Sequence, residues 1–289
     1  MLRADFSQKR LPDRRVRRGF SAGGLMFAAP ALMLFAAIFA VPVAYIVAFS
    51  FQSSKGYSLD GYRWLTTSPL FGRVLWNSIE IAVSATLVSV VLGYALALHL
   101  STLSPRKRAI GMAFVLFPFW TSILVKSYSF TIILGRRGII NSALGWVLGG
   151  NPELPLIFNR AGVLIGMSNH LVPFVVFPVL VNLLAQDRNL PKAAAIMGAT
   201  PLSVFWRVTL PLSAPAVLAG ALICLIISFG FFVTPALLGG RADVMLANLI
   251  DLFTRETLNW TVSSAVAVVL LAASCVLILG LSRFSGQTR

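Results

Sequence analysis

Acidic side chains are scarce in this sequence. Its 289 residues hold nine Asp and Glu against 24 Lys and Arg, and charged residues make up 11% of the chain. Soluble domains carry about 25% charged residues. A chain that is 57% hydrophobic lacks the polar surface to cover a soluble core, which excludes an ordinary soluble domain. Only two cysteines are present, Cys224 and Cys275, both inside apolar blocks; that disfavours a disulfide pair and suits small core residues. No metal-ligand cluster, paired carboxylate or catalytic triad stands out, so no enzymatic chemistry, bound cofactor or metal is assigned. No Gly-x-x-x-x-Gly-Lys-Ser/Thr phosphate loop occurs, so the chain has no nucleotide site by that motif. The net charge of +15 comes without a basic, aromatic-interleaved groove, which argues against nucleic acid.

What the sequence does have is long apolar runs. About 20 apolar residues cross a bilayer core. Six stretches meet this, near 24–49, 77–100, 110–133, 161–184, 213–237 and 260–282. The first is too long for the apolar region of a signal peptide and reads as a retained helix. Lys and Arg in the connections orient the bundle: 15 fall on one side, counting the N-terminal arm, Arg106–Arg108, Arg188, Lys192, Arg207 and the tail, and 8 on the other. The richer side is cytoplasmic. The expected fold is an all-α membrane protein of six transmembrane helices with both termini inside. A basic cytoplasmic arm spans 1–22, a six-helix transmembrane domain 23–283 with a long inner loop 185–212, and a short tail 284–289. Trp64, Trp76, Trp146 and Trp260 sit at the outer helix ends, where aromatic rings suit the headgroup region.

The inner loop between the fourth and fifth spans is not a polar linker. It runs Asn189-Leu190-Pro191-Lys192-Ala193-Ala194-Ala195-Ile196-Met197-Gly198-Ala199-Thr200-Pro201 and on to Pro211. Pro191 followed by three alanines favours a short helix, and Gly198 is where it can end or turn. Thr200-Pro201 has the form of an N-cap and first-turn proline. The second short helix is expected to expose Val204, Phe205 and Val208 at helical spacing and to stop at Pro211. Such a hairpin can dock in a partner's groove or lie on lipid as an interfacial helix.

This segment resembles the cytoplasmic loop of permeases from binding-protein-dependent ATP-binding-cassette (ABC) importers. Their pattern is Glu-Ala-Ala, three residues, Gly, nine residues, Ile, one residue, Leu-Pro. Ala193 and Ala194 match the alanines, Gly198 the glycine, Val208 stands for the isoleucine, and Leu210-Pro211 closes the pattern; Lys192 replaces the glutamate and reverses its charge. Phe117–Ser122, Gly138–Ser142 and Phe232–Gly240 resemble the first of two permeases in spermidine/putrescine-type importers. The resemblance implies the type I importer permease fold. It makes Lys192, Ala193, Ala194, Gly198, Ala199, Phe205, Val208, Leu210 and Pro211 the element coupling to a separate ATPase. It also implies two ATPase subunits that use ATP, a second and different permease, and a periplasmic binding protein. The expected solute is a polyamine, with ferric iron, an opine or a phosphonate as alternatives. An ion-coupled secondary transporter is disfavoured, because neither internal repeats nor midplane coupling residues stand out.

Charges within spans are costly and face the bundle interior. Glu80 and Lys126 are the two found here, near the same outer face, so they are expected either to pair or, for Glu80, to line the pathway and meet a cationic solute. Trp120 either contacts solute or fills the bundle, with filling favoured. Pro118 and Pro235 free helical carbonyls and mark kinks. His170 reads as a hydrogen-bonded packing residue.

Overall fold

The computed structural model describes residues 22–285 apart from 54–55, 149, 151–153 and 188. The basic arm up to Arg18, Lys55, Arg188 and Arg289 therefore lie outside the described residues. The chain divides into two units, one ending at Tyr45 and the other starting at Ile46. The first is made of helix α1 (Ala22–Ser50) up to Tyr45, which is apolar on every side, as a lipid-spanning helix is.

In the second unit a two-residue hairpin, β1 (Gln52–Ser53) with β2 (Gly56–Tyr57), leads to α2 (Asp60–Thr67) and α3 (Pro69–Thr102). Helix α3 begins well before the expected span at 77: Pro69 occupies its first turn, where no amide hydrogen is needed. Its 34 residues reach about 50 Å, more than the ~30 Å apolar core requires.

Next come α4 (Pro105–Trp120) and α5 (Ile123–Ile133), bent by 99° at the break between them. The expected continuous third helix is thus two helices. Pro118 weakens the last turn of α4, and the chain is extended at Thr121 and Ser122. After α6 (Ile139–Leu148) and α7 (Arg160–Ala185) come α8 (Asn189–Ile196) and α9 (Pro201–Val204). A π turn at Phe205–Thr209 joins α9 to α10 (Leu210–Phe229), so that 201–229 is one apolar helix. Pro211 therefore does not stop the second short helix. In the wide turn Leu210 N–H reaches back to Phe205 O, and the chain passes a residue with no amide hydrogen to donate.

The expected fifth span ends at Phe229, eight residues early; α11 (Val233–Leu238), α12 (Leu246–Asp251) with its own π turn, and α13 (Trp260–Ser285) complete the chain. Among the described residues five helices are long and apolar enough to cross a membrane, or six when the bent α4–α5 pair counts as one. The chain is a multi-pass, all-helical membrane protein but for the small hairpin.

Helix α7 is the spine, parallel to α3 and antiparallel to α10. Glycines let both come close at Val175, which is fully buried. A Cβ on Gly93 would lie 2.7 Å from Val175 Cβ, and one on Gly220 would lie 3.0 Å from Val175 Cα. Lipid tails are as apolar as the side chains, so such close backbone packing, not burial from water, holds the helices together. Ile81, Met167, Leu171, Val175, Cys224 and Phe231 fill this core. A second core, around Val74, Leu246, Leu249 and Val266, ties α2, α3, α12 and α13 together at the outer end. Cys224 is buried as expected and donates to Leu171 O, whereas Cys275 is exposed on α13.

Candidate functional site

Three places hold the residues singled out from the sequence. The first is the hairpin at the end of the bundle that the charge pattern assigns to the cytoplasm. Helix α8 ends at a glycine cap: Gly198 has φ +84°, its N–H bonds Ala195 O, and Ala199 N–H bonds Ala194 O. Only glycine adopts that left-handed φ without strain. Thr200 caps the next helix by accepting from Ser203 N–H. Lys192, Ala193 and Gly198 are exposed, and Ala194 and Ala199 are half-buried.

The apolar face of the hairpin differs from the expected one. Phe205, Val204 and Val208 are not exposed. Phe205 packs edge-on against Tyr94 at 5.9 Å, and the Tyr94 hydroxyl meets Ser213 Oγ at 3.0 Å. The most exposed large apolar residues are Ile196 (86%), Met197 (81%), Leu202 and Trp206. Helical spacing identified a stripe but not which side of it the bundle takes. Leu210 also packs toward the core, and Pro211 is exposed.

The second place lies at the outer end. Glu80 does not pair with Lys126: its carboxylate accepts from Arg160 Nη1 at 2.6 Å. Arg160 Nε also donates to Asp243 Oδ1 at 2.9 Å, and Gly240 N–H donates to Asp243 Oδ2. Asp243 is buried, while the Glu80 side chain is half-exposed. Arg160 stands in the first turn of α7 and so bridges α3 to the connection after α11. That connection is held further by the Asn77 amide on Ala242 O and by Leu246 N–H on Ser78 Oγ. Asp243 was missed from the sequence, because a polar residue after Gly239-Gly240-Arg241 looks like ordinary loop. Its signal was isolation: it is the one carboxylate between Asp187 and Asp251.

The third place is inside the bundle. The α4–α5 break aims Lys126 at the middle of α7, about 15 Å along it from Arg160, which separates it from Glu80. Lys126 Nζ donates to Pro118 O at 2.7 Å and lies 3.3 Å from His170 Nδ1. The ammonium thus satisfies a carbonyl released by the break, as a bilayer demands. His170 has the packing role expected, against Phe119 and Phe231 at 5.5 Å each, and Lys126 as polar partner besides. A cavity of about 240 Å³ opens beside Lys126, lined also by Thr121, Ser129 and Asn169. A larger one of about 1120 Å³ between α3, α4 and α7 is lined almost wholly by apolar residues, with His99, Ser168 and Asn169 the exceptions; it suits an apolar neighbour better than a charged solute. Trp120 is 88% exposed, so it does not fill this chain's core. Pro118 lines both cavities, whereas Pro235 is packed inside α11 and the break falls before it, at 230–232.

The third crossing is broken after Pro118, a second break falls at 230–232, and a glycine-capped helical hairpin lies at one end of the bundle. Residues 89–288 match the family of binding-protein-dependent transport system inner membrane components, and the chain belongs to that family. It is 30% identical over 245 residues to the spermidine/putrescine transport system permease protein PotB of Haemophilus influenzae, covering 82% of this chain and 85% of that one. It is 27% identical over 253 residues to the putative 2-aminoethylphosphonate transport system permease protein PhnU of Salmonella choleraesuis, covering 86% and 87%. Its fold is similar to a chain of a bacterial alginate ABC transporter solved in complex with a periplasmic protein bound to alginate pentasaccharide. There the TM-score is 0.76 at 18% identity, over 91% of this chain and 94% of that one. The protein is an ABC importer permease subunit.

Proposed function

We propose that this chain carries a polyamine of the spermidine/putrescine kind across a bacterial inner membrane, from periplasm to cytoplasm. Both termini face the cytoplasm. A separate pair of ATPase subunits uses the ATP, a second and different permease supplies the other half of the pathway, and a periplasmic binding protein delivers the solute. Rigid-body switching between outward- and inward-open states moves it. The observation that carries this reading is the hairpin at 189–211: a glycine-capped turn with Ile196 and Met197 at its tip, continuous through the π turn with helix α10. A push on the hairpin is thereby delivered to a core helix without an intervening loop. The polyamine assignment is supported by the PotB relatives, not by Glu80, whose carboxylate is engaged by Arg160.

The experiment is reconstitution with the partner subunits. Gly198→Asp is expected to leave insertion intact and abolish ATP-coupled uptake; full uptake would overturn the coupling role. The PhnU relatives favour a second reading, the same machinery with a phosphonate solute. Calorimetry of the cognate binding protein with spermidine and with 2-aminoethylphosphonate decides between them.

A further inference from the structure

Between residues 188 and 242 the sequence holds no Asp or Glu. Lys192 and Arg207 are exposed on the hairpin, and neither has an acidic partner among the described residues. The nearest preceding carboxylate, Asp187, accepts from Asn189 N–H at the start of α8. The neighbouring inner connection adds exposed Arg106 and Lys107, again with no acid. This face is therefore cationic on balance, with Asp187 its one carboxylate among the described residues, and whatever seats on it meets that field.

The apolar residues are arranged for a slot rather than for a flat surface. Ile196 and Met197 sit at the turn itself, with Leu202 and Trp206 following on the next helix. Helix α8 is eight residues long, too short to present a continuous apolar side to lipid. An apolar tip flanked by cations fits a pocket with an apolar floor and a negative rim.

We infer that the ATPase surface receiving this hairpin carries carboxylates around its apolar slot, with one facing Lys192. This rests on the hairpin being the ATPase-docking element. The sign of the pairing is opposite to that expected of a hairpin with glutamate at this position. Like charges brought together in a desolvated contact are strongly disfavoured. The chain is thus matched to its own ATPase and mismatched to one whose rim is basic.

The test is retention of the cognate ATPase subunit on the full-length permease complex, purified in neutral detergent. Lys192→Glu is expected to lower retention by at least about ten-fold and Lys192→Ala by less. Lys192→Glu is also expected to reduce the weakening that added salt causes in the unsubstituted complex. Retention is expected to return when one rim carboxylate of the ATPase is changed to Lys. Unchanged retention in Lys192→Glu, with loss in Gly198→Asp and Trp206→Ala, would overturn the charge assignment and leave the docking role standing. Unchanged retention in all three would overturn both. An effect of Lys192→Glu confined to phosphatidylglycerol-containing nanodiscs, absent in detergent, would assign the cations to lipid headgroups and overturn the inference as well.

Discussion

The two ends of this bundle treat charge in opposite ways. At the outer end Arg160 is held between Glu80 and Asp243, and Asp243 takes a further backbone hydrogen. At the inner end Lys192 and Arg207 stand exposed beside bare apolar residues. Removing Arg160 leaves Asp243 buried without its counter-charge, which costs stability. Exposed charges cost little to remove. The difference separates the part of the chain whose charges are paired within its own fold from the part whose cations and apolar residues are left bare.

This contrast can be broken by substitution. The largest effect on function is expected from Gly198→Asp and the largest on stability from Arg160→Met. The first abolishes coupled uptake while lowering the melting temperature of the detergent-solubilised permease only slightly, by the strain of a side chain at positive φ. The second lowers stability by about 3 kcal/mol in a reversible unfolding assay, because Asp243 is left buried. Should Gly198→Asp unfold the protein, or Arg160→Met leave stability untouched, the division between the ends fails.

Smaller effects sharpen it. Gly93→Leu forces a side chain onto Val175 and is expected to cost about 1–3 kcal/mol, with uptake falling only as far as folded protein does. On the hairpin, Phe205→Ala is expected to lower stability by about 2 kcal/mol, since its ring packs on Tyr94. Trp206→Ala changes stability by less than about 0.5 kcal/mol yet impairs ATPase retention; equal stability losses for the two would contradict their opposite exposure. The smallest effect is a coupling between Glu80 and Lys126. A Glu80→Gln and Lys126→Met cycle is expected to be additive to within about 0.5 kcal/mol, whereas Glu80→Gln and Arg160→Met couple clearly.

Much of this was legible from residue order alone. Long apolar runs marked six candidate crossings, and among the described residues five single helices meet that length and hydropathy, or six when the bent α4–α5 pair counts as one. Gly198 and Thr200-Pro201 marked the hairpin's turn because their preferences are local: a positive φ, a side-chain cap, a proline in a first turn. The break after Pro118 was legible as a kink, but its 99° size was not. In the bent chain Lys126 Nζ meets the freed Pro118 carbonyl, and its other partner, His170, is 44 residues away in sequence.

The sequence by itself determined a multi-pass membrane protein with a glycine-capped hairpin after its fourth span, because hydropathy and backbone preference act over a few neighbours; the permease reading came from the hairpin's resemblance to a family. Only the tertiary structure decided that Glu80 belongs to Arg160 and that Phe205 faces inward while Trp206 faces out. Burial and ion pairing depend on which helices meet and at what depth. Residues 80, 160 and 243 come together only after α3, α7 and the connection after α11 have packed.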